Sequence, residues 1–270
     1  MNGRINTEKI CLNNSNGRRL CGILSDAGTK TAILMFHGLG SSKDNSTYMI
    51  LQDKINTSGI ATFRVDLLGH GDSDGEFDDL TLTETVDDIL CSKHELERRG
   101  YERIGFIGHS FGGVGGIMAA SKEQFDFLIL VSPPTYYDIT EMIRSSIYVF
   151  RQLIMVNKET KKKKAHPNIR FFRDYASHDS YAAAEKIQAP VLIIHGDDDK
   201  IVPIAKSIEL SKRINGSKIK IFKGVGHHYA KVQAMLIEEI MEFVNKQSKS
   251  VDKIIVHEFL ETDISSGTSQ

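Results

Sequence analysis

The chain carries almost no net charge, no long apolar run and very little cysteine. Its 34 basic and 35 acidic residues leave a formal charge of -1, with a pI near 6.8. No single-sign field is available to draw in nucleic acid or an anionic membrane surface, so neither is expected as a partner. The opening residues, Met1-Asn2-Gly3-Arg4-Ile5-Asn6, contain no apolar signal core. No stretch approaches the roughly 18 apolar residues of a spanning helix, so no integral membrane segment is expected. The three cysteines, Cys11, Cys21 and Cys91, have no metal-ligand spacing, and no metal is expected. Their odd, low count suits reduced thiols in a cytoplasm. A Cys11–Cys21 bridge across a hairpin is the lesser alternative. What is present is ordinary for a globular protein: 40% hydrophobic and 26% charged residues over 270 positions. That length suits one large α/β domain or a domain with an insertion.

Along the chain, apolar runs alternate with helical patterns. Lys9–Leu12 and Leu20–Leu24 flank the turn signal Asn13-Asn14-Ser15-Asn16-Gly17 and predict a hairpin. Thr31–Phe36, Ala61–Val65, Ile104–Ile107, Phe125–Val131, Pro190–His195 and Lys218–Phe222 read as strands, several of them buried on both faces. Between them, Tyr48, Leu51 and Ile55 fall at helical spacing. So do Val86, Ile89, Leu90 and Leu96, behind a Thr81-x-x-Glu84 capping box and ahead of the stop at Gly100. Pro203 opens a helix with Ile204, Ile208 and Ile214, and a final helix carries Val232, Leu236, Ile240 and Phe243. Val251–Leu260 predicts one short extra element, and the tail from Ser265 reads as disordered.

The rhythm breaks over residues 135–185, which carry no strand flanked by turns. Asp138-x-x-Glu141 opens a helix with Ile139, Ile143, Ile147 and Phe150; Lys161–Lys164 follow. The expected organisation is a core over 1–134 and 186–250, an inserted lid over 135–185 and a C-terminal extension over 251–270. Alternating strands and helices imply a mostly parallel sheet, whose ligands bind beyond the carboxyl ends of the strands. Residues that follow those ends should therefore meet on one rim.

Gly108-His109-Ser110-Phe111-Gly112 sits between such a strand and the small apolar run Gly112–Ala120. A serine on a sharp strand-to-helix turn projects its hydroxyl from the sheet, and the helix N-terminus behind it aims free N–H groups at an anion. The bare Gly-x-Ser-x-Gly pattern occurs by chance in roughly one chain in ten, and the bland alternative is a tightly packed glycine turn. The flanking elements and the rest of the chain favour a nucleophile. Such a hydroxyl needs a base: His227 in Gly224-Val225-Gly226-His227-His228, with His228 as competitor. The imidazole needs a carboxylate, for which Asp199 is favoured over Asp197 and Asp198. The order Ser, Asp, His suits this sheet. Oxyanion donors are expected from the backbone N–H groups of Phe111 and Leu39. His37, Gly38, His109 and Gly112 support these loops, and Asp66 and His70 are read as structural.

With these pieces placed, five stretches of the chain resemble the α/β-hydrolase superfamily over about residues 20 to 247. They are His37-Gly38 after a buried strand, Gly69-His70-Gly71-Asp72-Ser73, Gly108-His109-Ser110-Phe111-Gly112-Gly113, Gly196-x-x-Asp199-x-x-Val202-Pro203 and Gly226-His227. Gly69–Phe77 followed by Asp79-Leu80-Thr81 is similar to the cinnamoyl/feruloyl esterase-like carboxylesterases. The resemblance implies an α/β-hydrolase fold: a mostly parallel central sheet with helices on both faces, an N-terminal antiparallel hairpin and a small inserted lid. It implies a serine carboxylesterase acting on small or aromatic esters through an acyl-enzyme on Ser110, with no metal or organic cofactor. The alternatives on the same residues are a monoacylglycerol lipase, a thioesterase or an acyltransferase. A binding protein that has lost catalysis is a further alternative, which the intact Ser, Asp and His set disfavours. Tyr136, Tyr137, Tyr148, Phe150, Phe171 and Phe172 could stack on an aromatic acyl group or simply pack the lid. The lysine run could attract anionic esters or anionic lipid heads, with a solvated lid surface favoured over either, and an exposed lid helix could mediate a homodimer.

Overall fold

The computed structural model describes residues 5–135 and 169–264, with side chains as far as residue 248. Eight strands form one open sheet: β1 (Asn6–Asn13), β2 (Arg19–Asp26), β3 (Thr31–Phe36), β4 (Ala61–Val65), β5 (Arg103–His109), β6 (Phe127–Val131), β7 (Val191–Gly196) and β8 (Lys218–Phe222). Their spatial order is β1-β2-β4-β3-β5-β6-β7-β8. The β1–β2 hairpin and the β2–β4 contact are antiparallel; every pairing from β4 across to β8 is parallel. This is the α/β-hydrolase arrangement expected from the sequence. β4, β6 and β7 are buried at every residue, which is why they read as unbroken apolar runs. The edge strands differ: β1 buries only Ile10, and β8 only Phe222.

The helices among the described residues are α1 (Ser46–Thr57), α2 (Leu82–Arg98), α3 (Phe111–Ala120), α4 (Ile169–Ala176), α5 (Ser180–Ala184), α6 (Ala205–Arg213) and α7 (Gln233–Ile264). Asn45 caps α1 by accepting from the N–H of Tyr48, and α1 buries Tyr48, Leu51 and Ile55 as its spacing predicts. By contact the chain divides into two units, residues 1–231 and 232–270. The first holds the whole sheet and α1 to α6; the second is essentially the one helix α7. None of the described helices is long and apolar enough to cross a membrane.

Four expectations are corrected. Cys11 and Cys21, paired across β1 and β2, form a disulfide, and only Cys91 is free among the cysteines. Directly opposed cysteines in a hairpin are close enough to bond, which a count of cysteines does not reveal. At the start of α2, Thr81 accepts from the N–H of Glu84, but the reciprocal half of the capping box is missing. The Glu84 carboxylate instead takes the side-chain amides of Asn14 and Asn16 in the hairpin turn. Helix α6 begins after Pro203 and Ile214 is buried as expected, but Ser207 and Leu210 face inward while Ile208 is 39% exposed. Finally, Val251–Leu260 is not a separate element but a continuation of α7.

Of the segment 135–185, only Thr135 and residues from 169 onward are described. The expected helix from Asp138, Tyr136, Tyr137, Tyr148, Phe150 and Lys161–Lys164 lie outside the described residues. Helix α4 is rooted on the body. Phe171 and Tyr175 pack on Phe111, with ring centroids 5.3 and 6.4 Å away. Thr83 donates to the Asp174 carboxylate from both backbone and hydroxyl. Phe171 thus spends its ring on packing.

Candidate active site

Five loops leave the carboxyl ends of β3, β4, β5, β7 and β8, carrying His37, Asp66, Ser110, Asp199 and His227 in turn. Ser110 links β5 to α3 with φ 50 and ψ -119. A non-glycine residue rarely holds a positive φ, and that strain lifts the hydroxyl out of the turn. The turn is pinned by its own backbone: Ser110 N–H donates to Val131 O at 2.8 Å, and Gly113 N–H returns to Ser110 O at 2.8 Å. The surroundings are close. A Cβ on Gly112 would lie 2.4 Å from Phe36 O, and one on Gly38 would lie 2.9 Å from the Ser110 Cβ. Only glycine at both positions lets the loop after β3 press against the serine turn.

The imidazole of His227 bridges the serine to a carboxylate. His227 Nε2 lies 2.9 Å from Ser110 Oγ, and Nδ1 lies 2.7 Å from Asp199 Oδ2. A carboxylate oxygen can only accept, so Nδ1 carries the hydrogen and Nε2 offers its lone pair to the serine O–H. Asp199 is 7% exposed. Burial alone would raise its pKa, but hydrogen bonds from His195, His227 and the Val202 backbone outweigh it and hold the group well below the usual carboxylate range. The competing residues lie elsewhere. Asp197 and Asp198 are exposed; Asp197 accepts from the Gly224 N–H, and Asp198 pairs with Lys200. His228 is exposed beside His227.

The other supporting residues sort by their contacts. His109 Nε2–H donates to the carbonyl of His227 at 3.3 Å, and its ring lies 5.0 Å from that of His227. Burial, then the charge of His227, hold the His109 pKa down at about 3, so the ring is neutral. His37 donates from Nδ1 to Gly38 O at 2.8 Å and accepts at Nε2 from the Leu67 N–H at 3.1 Å. His70 accepts at Nε2 from the Gly40 N–H at 3.0 Å while Nδ1 faces Leu68 O at 3.0 Å. Two histidines thus tie the loop after β3 to the loop after β4, flanking Leu39. Phe111 is the first residue of α3, so its N–H has no partner within the helix. Asp66, fully buried, accepts from Lys43 through both backbone and side chain and from the Asp72 N–H. Burial would raise its pKa, but the bonds from Lys43 and the Asp72 N–H drive it down.

Lys43 and His195 are buried polar side chains that no sequence motif singles out. Lys43 is 3% exposed and pairs with Asp44, Asp66 and Asp72; a loop lysine gives no periodic sign of burial. His195 is fully buried and lies 3.2 Å from Asp199 Oδ2. Its signal was available, as the one polar side chain in the strand Val191–Gly196. Among the described residues, no group of three or more His, Cys, Asp or Glu side chains could hold a metal. A cavity of about 650 Å³ opens at the opposite end of the sheet, lined in part by Lys93, Glu97, Glu102, Glu123, Asp126 and Lys186. It does not include Ser110, and Lys93 is already paired with Glu97 and Glu123.

The sequence model of the prolyl oligopeptidase family (Peptidase_S9) matches residues 54–251. The chain belongs to the prolyl oligopeptidase family. Members of this family share the α/β-hydrolase superfamily fold described above, and the chain is accordingly a hydrolase. It is 25% identical to alpha/beta hydrolase domain-containing protein 17B of Xenopus tropicalis over 81% of its own length and 67% of that protein. It is 24% identical to protein 17C of the same organism, covering 82% of the chain and 63% of the relative. The chain thus spans about two thirds of the length of these curated relatives. Among solved structures, Est1E from Butyrivibrio proteoclasticus with bound ferulic acid superposes with a TM-score of 0.73 at 25% identity, over 89% of this chain and 99% of that one. An esterase from Exiguobacterium antarcticum gives 0.72 at 18% identity, over 87% and 98%, a likeness of fold alone.

Proposed function

We propose that the chain is a serine carboxylesterase that hydrolyses small or aromatic carboxylic esters through an acyl-enzyme on Ser110. The observation that carries this reading is the continuous chain of two short contacts, Ser110 Oγ to His227 Nε2 at 2.9 Å and His227 Nδ1 to Asp199 Oδ2 at 2.7 Å. In the proposed cycle, Ser110 Oγ bonds to the ester carbonyl carbon as its proton passes to His227 Nε2. The negative charge that develops on the carbonyl oxygen rests on the N–H groups of Leu39 and Phe111. Asp199 stabilises the imidazolium without taking its proton. Collapse of the tetrahedral species breaks the bond to the leaving alcohol, which takes the proton from His227. Water then repeats the sequence on the acyl-enzyme, releasing the acid and restoring Ser110.

The ester preference draws on the likeness to Est1E, whose structure holds ferulic acid. The family's peptidase name and the alternatives of lipase, thioesterase or acyltransferase define the comparison arms. The test is a panel of p-nitrophenyl esters of rising acyl length, methyl hydroxycinnamates, an acyl thioester and a peptide p-nitroanilide. Short and aromatic esters should turn over fastest, and Ser110→Ala should remove that turnover while leaving the melting temperature in place. Faster cleavage of long-chain esters, thioesters or the anilide would replace the proposed substrate class. Full activity in Ser110→Ala would remove the mechanism.

A lid over residues 135–185, a homodimer through it and a cytoplasmic location belong to the same proposal. Sedimentation equilibrium of the full chain tests the dimer, and a monomer throughout would contradict it. Alkylation directly in cells tests the location: in a cytoplasm Cys11 and Cys21 should be free thiols whose bond closes only on exposure to oxidant, and a bond already closed in cells would contradict that location.

A further inference from the structure

The carboxylate that faces His227 is shared with a second histidine. His195 is fully buried, and its ring makes three polar contacts. Nε2 lies 2.9 Å from Val202 O and 3.2 Å from Asp199 Oδ2; Nδ1 lies 2.6 Å from Ser207 Oγ. Two acceptors stand against Nε2, so that nitrogen carries the hydrogen. Nδ1 of the neutral ring then accepts from the Ser207 O–H. Ser207 is itself fully buried, on the face of α6 that otherwise carries Leu210 and Ile214. A hydroxyl on an apolar helix face needs a partner, and here the partner is this imidazole. This is also why α6 turns Ser207 inward rather than Ile208.

The division of labour at Asp199 is specific. Oδ1 accepts the N–H groups of Ile201 and Val202, each at 2.8 Å. Oδ2 is the oxygen that His227 uses, and His195 shares it. The Nε2–H of His195 bonds to Val202 O at 2.9 Å, and its positive end also lies 3.2 Å from Oδ2, where it draws off part of that oxygen's charge. A carboxylate with less free charge stabilises a neighbouring imidazolium less. We propose that His195, held by Ser207, is a positioning residue that sets the basicity of His227 through Asp199 Oδ2. The proposal rests on the reading of His227 as the base for Ser110, which it deepens. The other groups that face His227 are His109 at 5.0 Å and His228 at 5.6 Å between ring centroids, with Tyr229 beyond His109. All of them stay unchanged in the variants below.

The decisive experiment follows the His227 ring by NMR across pH in the full chain labelled with 15N-histidine, the resonance being assigned by its loss in His227→Gln. His195→Phe keeps a ring of similar size and removes the donor. The His227 midpoint should then rise by about half to one pH unit, and His195→Gln, which restores an N–H, should return it most of the way. Ser207→Ala, which frees the ring, should move it the same way by a smaller amount, and it decides the matter if His195→Phe does not fold. The acid limb of kcat/KM should move with the NMR midpoint, kcat falling and KM holding. A His227 midpoint unchanged in both His195→Phe and Ser207→Ala, with only the melting temperature lowered, would overturn the proposal and leave His195 as a structural tie. The titration does not depend on turnover. A wild-type protein without esterase activity would therefore count against the proposed function, while the NMR result still judged His195.

Discussion

Gly38→Ala tests how closely the loop after β3 must approach Ser110. Gly38 does not have a positive φ, so alanine meets no backbone penalty there. What it meets is contact: the added Cβ would lie 2.9 Å from Ser110 Cβ and 3.2 Å from His109 Nδ1. Carbon atoms prefer about 3.5–4.0 Å, so the loop would have to withdraw by roughly 0.6–1.1 Å. The N–H of Leu39 moves with it, while the N–H of Phe111 stays on α3. An oxyanion donor works within about 2.7–3.1 Å, and losing one costs ~3 kcal/mol, or about 100-fold in kcat. His37 still has the Leu67 N–H to accept and His70 the Gly40 N–H, so the loop stays tethered as it shifts. The expected result is therefore a kcat for p-nitrophenyl acetate lowered about 100-fold, with KM changed only slightly and the melting temperature within a few degrees. A kcat within about threefold of wild type would refute the claim that Leu39 donates to the oxyanion.

Three further outcomes are expected. Asp199→Asn should keep its oxygen on the Ile201 and Val202 amides and turn its NH2 toward His227. The imidazole is then held in the wrong tautomer, and kcat should fall by about 10⁴ with KM retained; a loss under tenfold contradicts this. Asp88 is buried with Oδ2 unpartnered, and burial, then Glu84 and Asp87, push its pKa up to about 7. A raised carboxyl pKa gives stability that is present below the unfolded value of about 4 and is lost as pH rises through about 7. Asp88→Asn should therefore gain melting temperature on wild type between pH 5 and pH 8, and a difference that does not change with pH would count against it. Thiol titration of the denatured chain should find one thiol without reductant and three with it; opening the Cys11–Cys21 loop should cost about 3 kcal/mol in a denaturant series.

The strands were legible because β3, β4, β6 and β7 are covered on both faces and carry apolar side chains at nearly every position. The rim was legible because parallel strands put their carboxyl ends together, so loops far apart in sequence could be assigned one location. Choices between neighbours were harder. Nothing in Asp197-Asp198-Asp199 says which carboxylate faces the imidazole; the turn does, by donating two N–H groups to Asp199 alone among them. The phase of α6 is not legible in sequence, because Ile208 fits an apolar stripe whereas the inward position belongs to Ser207 and its bond to His195. Glu84 has the spacing of a capping residue, but asparagines 68 and 70 positions earlier claim it. The disulfide depends on strand register, which a count of three cysteines does not contain.

The central claim is that Ser110 is the nucleophile, and covalent trapping tests it most directly. The full chain is treated with a fluorophosphonate, digested and mapped by mass spectrometry, with residual ester hydrolysis followed in parallel. The account predicts one adduct per chain, on Ser110, formed at the rate at which activity disappears and absent after His227→Gln. Loss of activity with the adduct on another residue, or full hydrolysis by a chain fully modified at Ser110, would contradict it.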